Sequence, residues 1–493
     1  MSHYSVDDIE NIIYHLNYRW RLQSLALWSG RKCPIAPDQL YQGFEAFLRV
    51  ETLEDIDKIS FPDDSKEKLR SSFMDHYLQR ELLPYDMEMR TWMKGAAAHV
   101  DGRKIYFRDI ISFCQKGSTR SQRLILQKET GPLCKFLKPF ALSYWEALLQ
   151  TLRRSFGFRD YREYCGLKKG VDYGAYYEEV KRILSQTDDL YFSAMEQWTK
   201  RCFEDELHSL TRFDAIYLLG LTEFDSFFPS QGIERFMSFF RYWDMDLTGY
   251  PGIHMELGQA PEKSSQAICF ILQVPEEIYV LMKPQGGWLD LESLGHELGH
   301  ALFAANTAEG LPFVVKELSR SSSLTEAFAF LVQNVSMSVP FMTGGLGVDE
   351  EIASMLYYHK VLKDMSVFRR YAARFLAEYE MFGEEDLANG EIYAENMARY
   401  TGFYYQPEAC LFDLAGEFYS LDYVLAWMAE AMLEDYFHKE YGDAWMFSPD
   451  TGQTLKRWWR EGHRNDLFGF LDRIGLGRLS SSSLIDRWKR ILS

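Results

Sequence analysis

Residues 296–300 read His296-Glu297-Leu298-Gly299-His300. On a helix, residues four apart lie one turn above each other on the same face. Two imidazoles so spaced can grip one metal ion, and the glutamate beside them can reach a water on that metal. The chemistry this permits is hydrolysis: the metal acidifies its water and the carboxylate takes the proton. With 11 histidines and 72 acidic residues among 493, random placement yields about 0.04 such arrangements, counting either acid.

The elements around the pair have to position it. Leu291, Leu294, Leu298 and Leu302 recur at helical spacing and mark a buried stripe opposite the two histidines. Gln285-Gly286-Gly287 reads as a loop before that helix, and Asp290 as its N-cap. The competing reading is a core helix whose histidines only satisfy buried hydrogen bonds. Upstream, the runs 267–274 and 278–282 are β-branched or aromatic, with Pro275-Glu276-Glu277 between them; they predict strands, as a hairpin.

A catalytic zinc site takes three protein ligands and leaves a fourth position for water. In the pattern with a third histidine six residues after His300, the ligand would be residue 306, which is Asn306, so that class is excluded. Downstream carboxylates remain: Glu309, Glu317 and Glu326. Glu326 is preferred because it opens a strongly apolar helix, where an ionised carboxylate needs a cation. The alternative is that Ser323 and Glu326 form a capping box. Glu309 and Glu317 read as solvated surface charges, and His254 as a loop residue or a support behind the ligands. His463 has no assignable role.

Composition bounds the rest. Hydrophobic residues make up 47% and aromatics 16%, which describes a globular chain long enough for a large core. The net charge of −18 argues against nucleic acid or an anionic membrane as partner. Seven scattered cysteines without a C-x-x-C pair point to a reducing compartment, here the cytoplasm. Ser5-Val6-Asp7-Asp8 reads as a capping box rather than part of a secretory signal, and no apolar run approaches the roughly 18 residues a membrane span needs.

Most of the chain shows helical periodicity, notably 40–93, 175–210, 350–382 and 415–440. Gly166–Gly174 is the best break. It suggests an N-terminal helical lobe over 1–170 and a catalytic domain over 171–493 with a small sheet at about 267–283. Thr343–Gly347 reads as a loop and Ser480–Ser483 as a polar turn before a last helix.

His296-Glu297-Leu298-Gly299-His300-Ala301-Leu302 followed after 25 residues by Glu326 resembles the M3 family of zinc peptidases, the oligoendopeptidase F group in particular. The stretch from Phe270 to Gly287 is similar to that family's substrate-binding edge strand. Glu417-Phe418-Tyr419-Ser420-Leu421-Asp422-Tyr423 resembles its tyrosine run. The family also carries a histidine just before the tyrosines, whereas Ala409–Asp413 here holds none.

The resemblance implies a mainly α, two-lobed body around a deep channel, with a small β-sheet beside the active-site helix. It implies one Zn²⁺ per chain on His296, His300 and Glu326, and Glu297 as general base on the zinc-bound water. Tyr419 or Tyr423 would donate to the oxyanion. The expected partners are short unfolded peptides, cut internally, and the chain is expected as a monomer or weak oligomer. Two rivals stand beside this reading: a carboxypeptidase or aminopeptidase on a similar scaffold, and a non-catalytic peptide binder.

Overall fold

The computed structural model describes residues 4–60, 65–260, 262–384 and 386–493. Among the described residues helices dominate, as expected, and two small sheets interrupt them. The first helix, Val6–Ser29, starts at the expected capping box: Ser5 Oγ accepts the Asp8 backbone N–H and the Asp8 carboxylate accepts that of Ser5. Ile9, Ile13 and Leu16 face the core. The 350–382 prediction corresponds to one helix, Glu350–Glu384, and the 415–440 prediction to Tyr419–Tyr441 after a short turn.

Two longer predictions divide. Residues 40–93 are not continuous: turns lead into Glu51–Lys58 and then Ser65–Gly95, while 61–64 lie outside the described residues. Residues 175–210 become Tyr173–Gln186 and Asp188–Phe203. The expected loop at 343–347 is largely a single wide helical turn, Phe341–Gly345.

The sheets are small. β1 (Ala97–Val100) and β2 (Arg103–Tyr106) form an antiparallel hairpin. The sequence reading missed it because four residues are too few for an alternating pattern to register. β3 (Ile253–Glu256), β4 (Ile268–Gln273) and β5 (Glu277–Leu281) form the second sheet in the order β3-β5-β4. The β4–β5 hairpin is the expected one, pairing Ile268 with Leu281 and Gln273 with Glu277. β3 was not foreseen and runs parallel to β5. β4 therefore lies at a sheet edge.

The His296 helix spans Trp288–Asn306. Leu291, Leu294, Leu298 and Leu302 are fully buried, each at 0% exposure. At 1.5–3 kcal/mol per buried leucine, the stripe contributes roughly 6–12 kcal/mol before chain entropy is counted. Asp290 is not the N-cap. It stands inside the first turn and accepts the backbone N–H groups of Gln285 (3.0 Å) and Gly286 (2.5 Å), tying the loop to the helix.

The Glu326 helix spans Ser323–Ser336 and packs across the His296 helix. Two glycines allow that approach. A methyl at Gly299 would lie 2.6 Å from Ala329 Cα, and one at Gly295 would lie 3.1 Å from Gln333 Cα. The dominant apolar cluster runs from Ile9 to Leu492 and encloses both helices. Among the described residues, no helix is long and apolar enough to cross a membrane.

Candidate metal centre and active site

His296 and His300 project from one face of their helix, with ring centroids 4.9 Å apart. The Glu326 helix brings a carboxylate between them. Glu326 Oε2 lies 3.2 Å from His296 Nε2 and 3.6 Å from His300 Nε2. A tetrahedral ion with bonds of 2.0–2.1 Å holds its ligand atoms about 3.3 Å apart, so the spacing suits Zn²⁺. The ligand atoms of the three residues all lie within 4.8 Å of one another. Oε2 is also buried and makes no hydrogen bond. An ionised oxygen left so is costly unless a cation meets it.

The capping box that was the alternative for Glu326 is absent. Ser322, not Ser323, precedes the helix, and the Glu326 side chain turns away from the backbone toward the histidines. Electrostatics agree with that orientation. Burial alone would raise the Glu326 pKa, but His300 and His296 outweigh it and hold the carboxyl well below its usual range. Burial disfavours charge on His296 as well, yet Glu326 lifts it to about 9. Protein groups alone thus make this a carboxylate matched to positive charge, the place a divalent ion would take.

Support behind the ligands comes from residues the sequence reading did not single out. His296 Nδ1 lies 2.9 Å from Gln333 Oε1. The Gln333 amide nitrogen points at Glu292 Oε1 (3.3 Å), and Lys363 Nζ holds that same oxygen at 2.7 Å. The Glu292 carboxylate fixes which end of the amide faces it, so the amide oxygen faces His296. Nδ1 then keeps its proton, so that Nε2 is the nitrogen that would give up its proton to a metal. Gln333 lies seven residues, two turns, after Glu326 on the same face, and that spacing was the available signal.

Glu297 is half-buried and lines a cleft of about 340 Å³ with His296, Phe330, Tyr371, Tyr423 and Trp427. A second cleft of about 300 Å³ opens on the other side of the pair, lined by His300, Cys269, Ile271, Val274, Arg21 and Glu317. β4 borders both.

Tyr419 donates its hydroxyl to Glu326 Oε1 at 2.5 Å. Tyr423 stacks on Tyr371, with centroids 4.5 Å apart and planes 5° from parallel, and faces His296 at 6.4 Å. Burial, then Glu326, pushes both phenol pKa values far up, so both remain O–H donors at any working pH.

The other candidates lie elsewhere. Glu317 is not a surface charge: it is buried, pairs with Arg21 at 2.8 Å and accepts the Val274 N–H at 2.9 Å. Glu309 is exposed. His254 is in neither a loop nor the ligand surroundings; it sits exposed on β3, its ring 4.8 Å from that of Tyr279. Asn306 accepts from the Tyr250 hydroxyl at 3.1 Å. His463 lines the second cleft, and burial, with Lys68 and Arg21, lowers its pKa to about 3. In the stretch without a histidine, Asp413 is bound to the Tyr393 hydroxyl at 2.7 Å, and Arg374 stands 3.6 Å away.

No family model matches the sequence, and no curated protein matches it either. Solved structures do. PZ peptidase A with inhibitor 2 is similar at a TM-score of 0.60 and 15% identity, over 99% of this chain and 85% of that one. A protein provisionally described as oligoendopeptidase F, in crystals grown by microfluidic seeding, gives a TM-score of 0.68 at 12% identity, over 99% and 92%. Another with the same provisional description, from Bacillus anthracis str. Ames, gives 0.59 at 12% identity, over 98% and 84%. Nearly end to end, the chain has the fold of these oligoendopeptidase F and PZ peptidase structures, the fold its resemblance to M3 peptidases implied.

Proposed function

We propose that this chain is a zinc-dependent oligopeptidase that hydrolyses internal bonds of short unfolded peptides. The observation that carries the proposal is the meeting of a buried, unbonded carboxylate oxygen with two imidazole nitrogens, 3.2 and 3.6 Å away, beside Glu297. His296, His300 and Glu326 would hold one Zn²⁺, which when bound supplies an acidified water and a Lewis acid. Glu297 would serve as the general base for the attacking water and then as the acid that protonates the leaving amine. Tyr423, or Tyr419 on turning its single hydroxyl proton away from Glu326, would donate to the developing oxyanion, both being kept protonated by burial. The fold shared with peptidase structures supports the same reading.

The peptide's direction follows from Glu297. The residue that protonates the leaving amine must face the C-terminal half of the substrate, so that half lies in the cleft Glu297 lines. The N-terminal half lies beside His300. The chain through β4 runs the opposite way, from Ala267 just before the strand, at the Glu297 cleft, to Val274 just after it, at the other. An extended peptide added to this edge strand is therefore antiparallel to it, held by backbone hydrogen bonds that tolerate many sequences.

The cytoplasm is the compartment we favour, supported by seven free cysteines. A peptide blocked at both ends tests the endopeptidase reading. Internal cleavage, abolished by chelation and restored by zinc, is expected. Cleavage only of free-ended peptides would favour the exopeptidase rival.

A further inference from the structure

The helix that carries Tyr419 begins at a strained elbow. Glu417 (φ 55°, ψ 35°) and Phe418 (φ 50°, ψ 39°) are consecutive left-handed residues, and neither is glycine. Side chains avoid this region because Cβ crowds the carbonyl oxygen, so such a pair persists only where its surroundings over-determine it.

The surroundings do so. Phe418 is fully buried with its ring 4.6 Å from that of Tyr173. The Glu417 N–H donates to the Tyr161 hydroxyl oxygen at 2.7 Å. The Glu417 carboxylate lies 2.6 Å from Lys168 Nζ, which also pairs with Asp75 at 2.5 Å. The next residue, Lys169, reaches Asp422 in the first turn of the Tyr419 helix at 2.7 Å. Asp422 in turn accepts Ser321 Oγ at 3.1 Å and the Ser322 N–H at 3.4 Å, just ahead of the Glu326 helix.

Two adjacent lysines at the end of one helix, Tyr161–Lys169, thus hold the starts of both elements that meet in the Tyr419–Glu326 hydrogen bond. Their side chains are only 6% and 4% exposed. Desolvation largely offsets the attraction in such buried pairs, so they do little for net stability. What they fix here is geometry.

We propose that Lys168 and Lys169 are positioning residues: they brace the Glu417–Phe418 elbow and so hold the Tyr419 hydroxyl on the proposed third ligand. The kinetic arm of the test rests on the peptidase reading; the spectroscopic arm does not. Lys168→Met and Glu417→Gln are each made in the wild-type chain and in Tyr419→Phe, and the zinc-loaded proteins are assayed with a quenched fluorescent peptide. In the wild-type background, kcat should fall about tenfold or more with KM within about twofold, because a displaced donor costs the transition state rather than binding. In Tyr419→Phe, the same substitutions should change kcat less than about twofold. Equal losses in both backgrounds would mark a merely structural pair and overturn the proposal. If Lys168→Met does not fold, the isosteric Glu417→Gln carries the test.

Cobalt-loaded protein gives the second readout, since its visible bands report ligand geometry without turnover. Glu417→Gln should shift the bands in the wild-type background and leave them unchanged in Tyr419→Phe. A shift without peptide cleavage would keep the brace and sink the peptidase reading; unchanged bands in the wild-type background would sink the brace.

Discussion

Adding one methyl group at Gly299 should separate the two helices that carry the proposed ligands. The new Cβ would stand 2.6 Å from Ala329 Cα and 3.2 Å from the Phe328 carbonyl oxygen, both backbone atoms that cannot rotate away. Carbon contacts settle at about 3.5–4.0 Å, so the helices must part by roughly 1 Å. Alanine in a helix interior gains up to ~1 kcal/mol over glycine, while overpacking costs about 1–3 kcal/mol. The net loss of stability is about 0–2 kcal/mol, and the chain should still fold. The metal site is less tolerant, because ligand distances are held within about 0.2 Å. Glu326 retreating by roughly 1 Å should weaken zinc at least as much as losing a supporting hydrogen bond, about 10–100-fold. Competition against a chromogenic chelator measures this. Gly95→Ala, where nothing lies within 4 Å of the added methyl, is the control. Wild-type zinc affinity in a folded Gly299→Ala chain would refute the close-approach argument.

Three further outcomes are expected. Gln333→Leu removes the acceptor for His296 Nδ1 and should weaken zinc about 10–100-fold; unchanged affinity would show that the amide does not orient the ring. Tyr419→Phe should lower kcat about 10²–10³-fold if it is the oxyanion donor; a loss only in Tyr423→Phe would move that role one turn along. Glu378 tests the electrostatics away from the site. Burial, against the pull of Arg374, raises its pKa from the usual 4.5 to about 7. The folded chain therefore keeps a proton that the unfolded chain releases, and this contribution to stability is full below pH 4.5 and is lost as pH rises through 7. Glu378→Gln should gain on wild type by up to about 3 kcal/mol between pH 5 and 8 in denaturant titrations; parallel pH curves would contradict the shift.

Local pattern carried much of the site. His296, Glu297 and His300 are legible because helical spacing alone puts both imidazoles on one face, and Glu326 because an acid in so apolar a helix needs a counter-charge. The β4–β5 hairpin was legible from its β-branched runs. What stayed hidden depends on distant pairing. Glu317 reads as an ordinary surface acid until Arg21, 296 residues away, is brought to it. Asp290 has the composition of an N-cap, yet the helix starts two residues earlier and its carboxylate serves the loop. The elbow at Glu417–Phe418 is invisible in sequence because neither residue is the glycine that a left-handed turn usually requires. β3 escaped because four residues carrying one histidine look like loop until β5 pairs with them.

The most direct test of the whole account is to measure bound zinc and peptide cleavage together in wild type and Glu297→Gln. The account predicts one zinc per chain in both proteins, with turnover present in wild type and reduced about 10²–10⁴-fold or more in the variant. A wild-type chain that holds no transition metal, or a Glu297→Gln chain that cuts peptides at the wild-type rate, would contradict it.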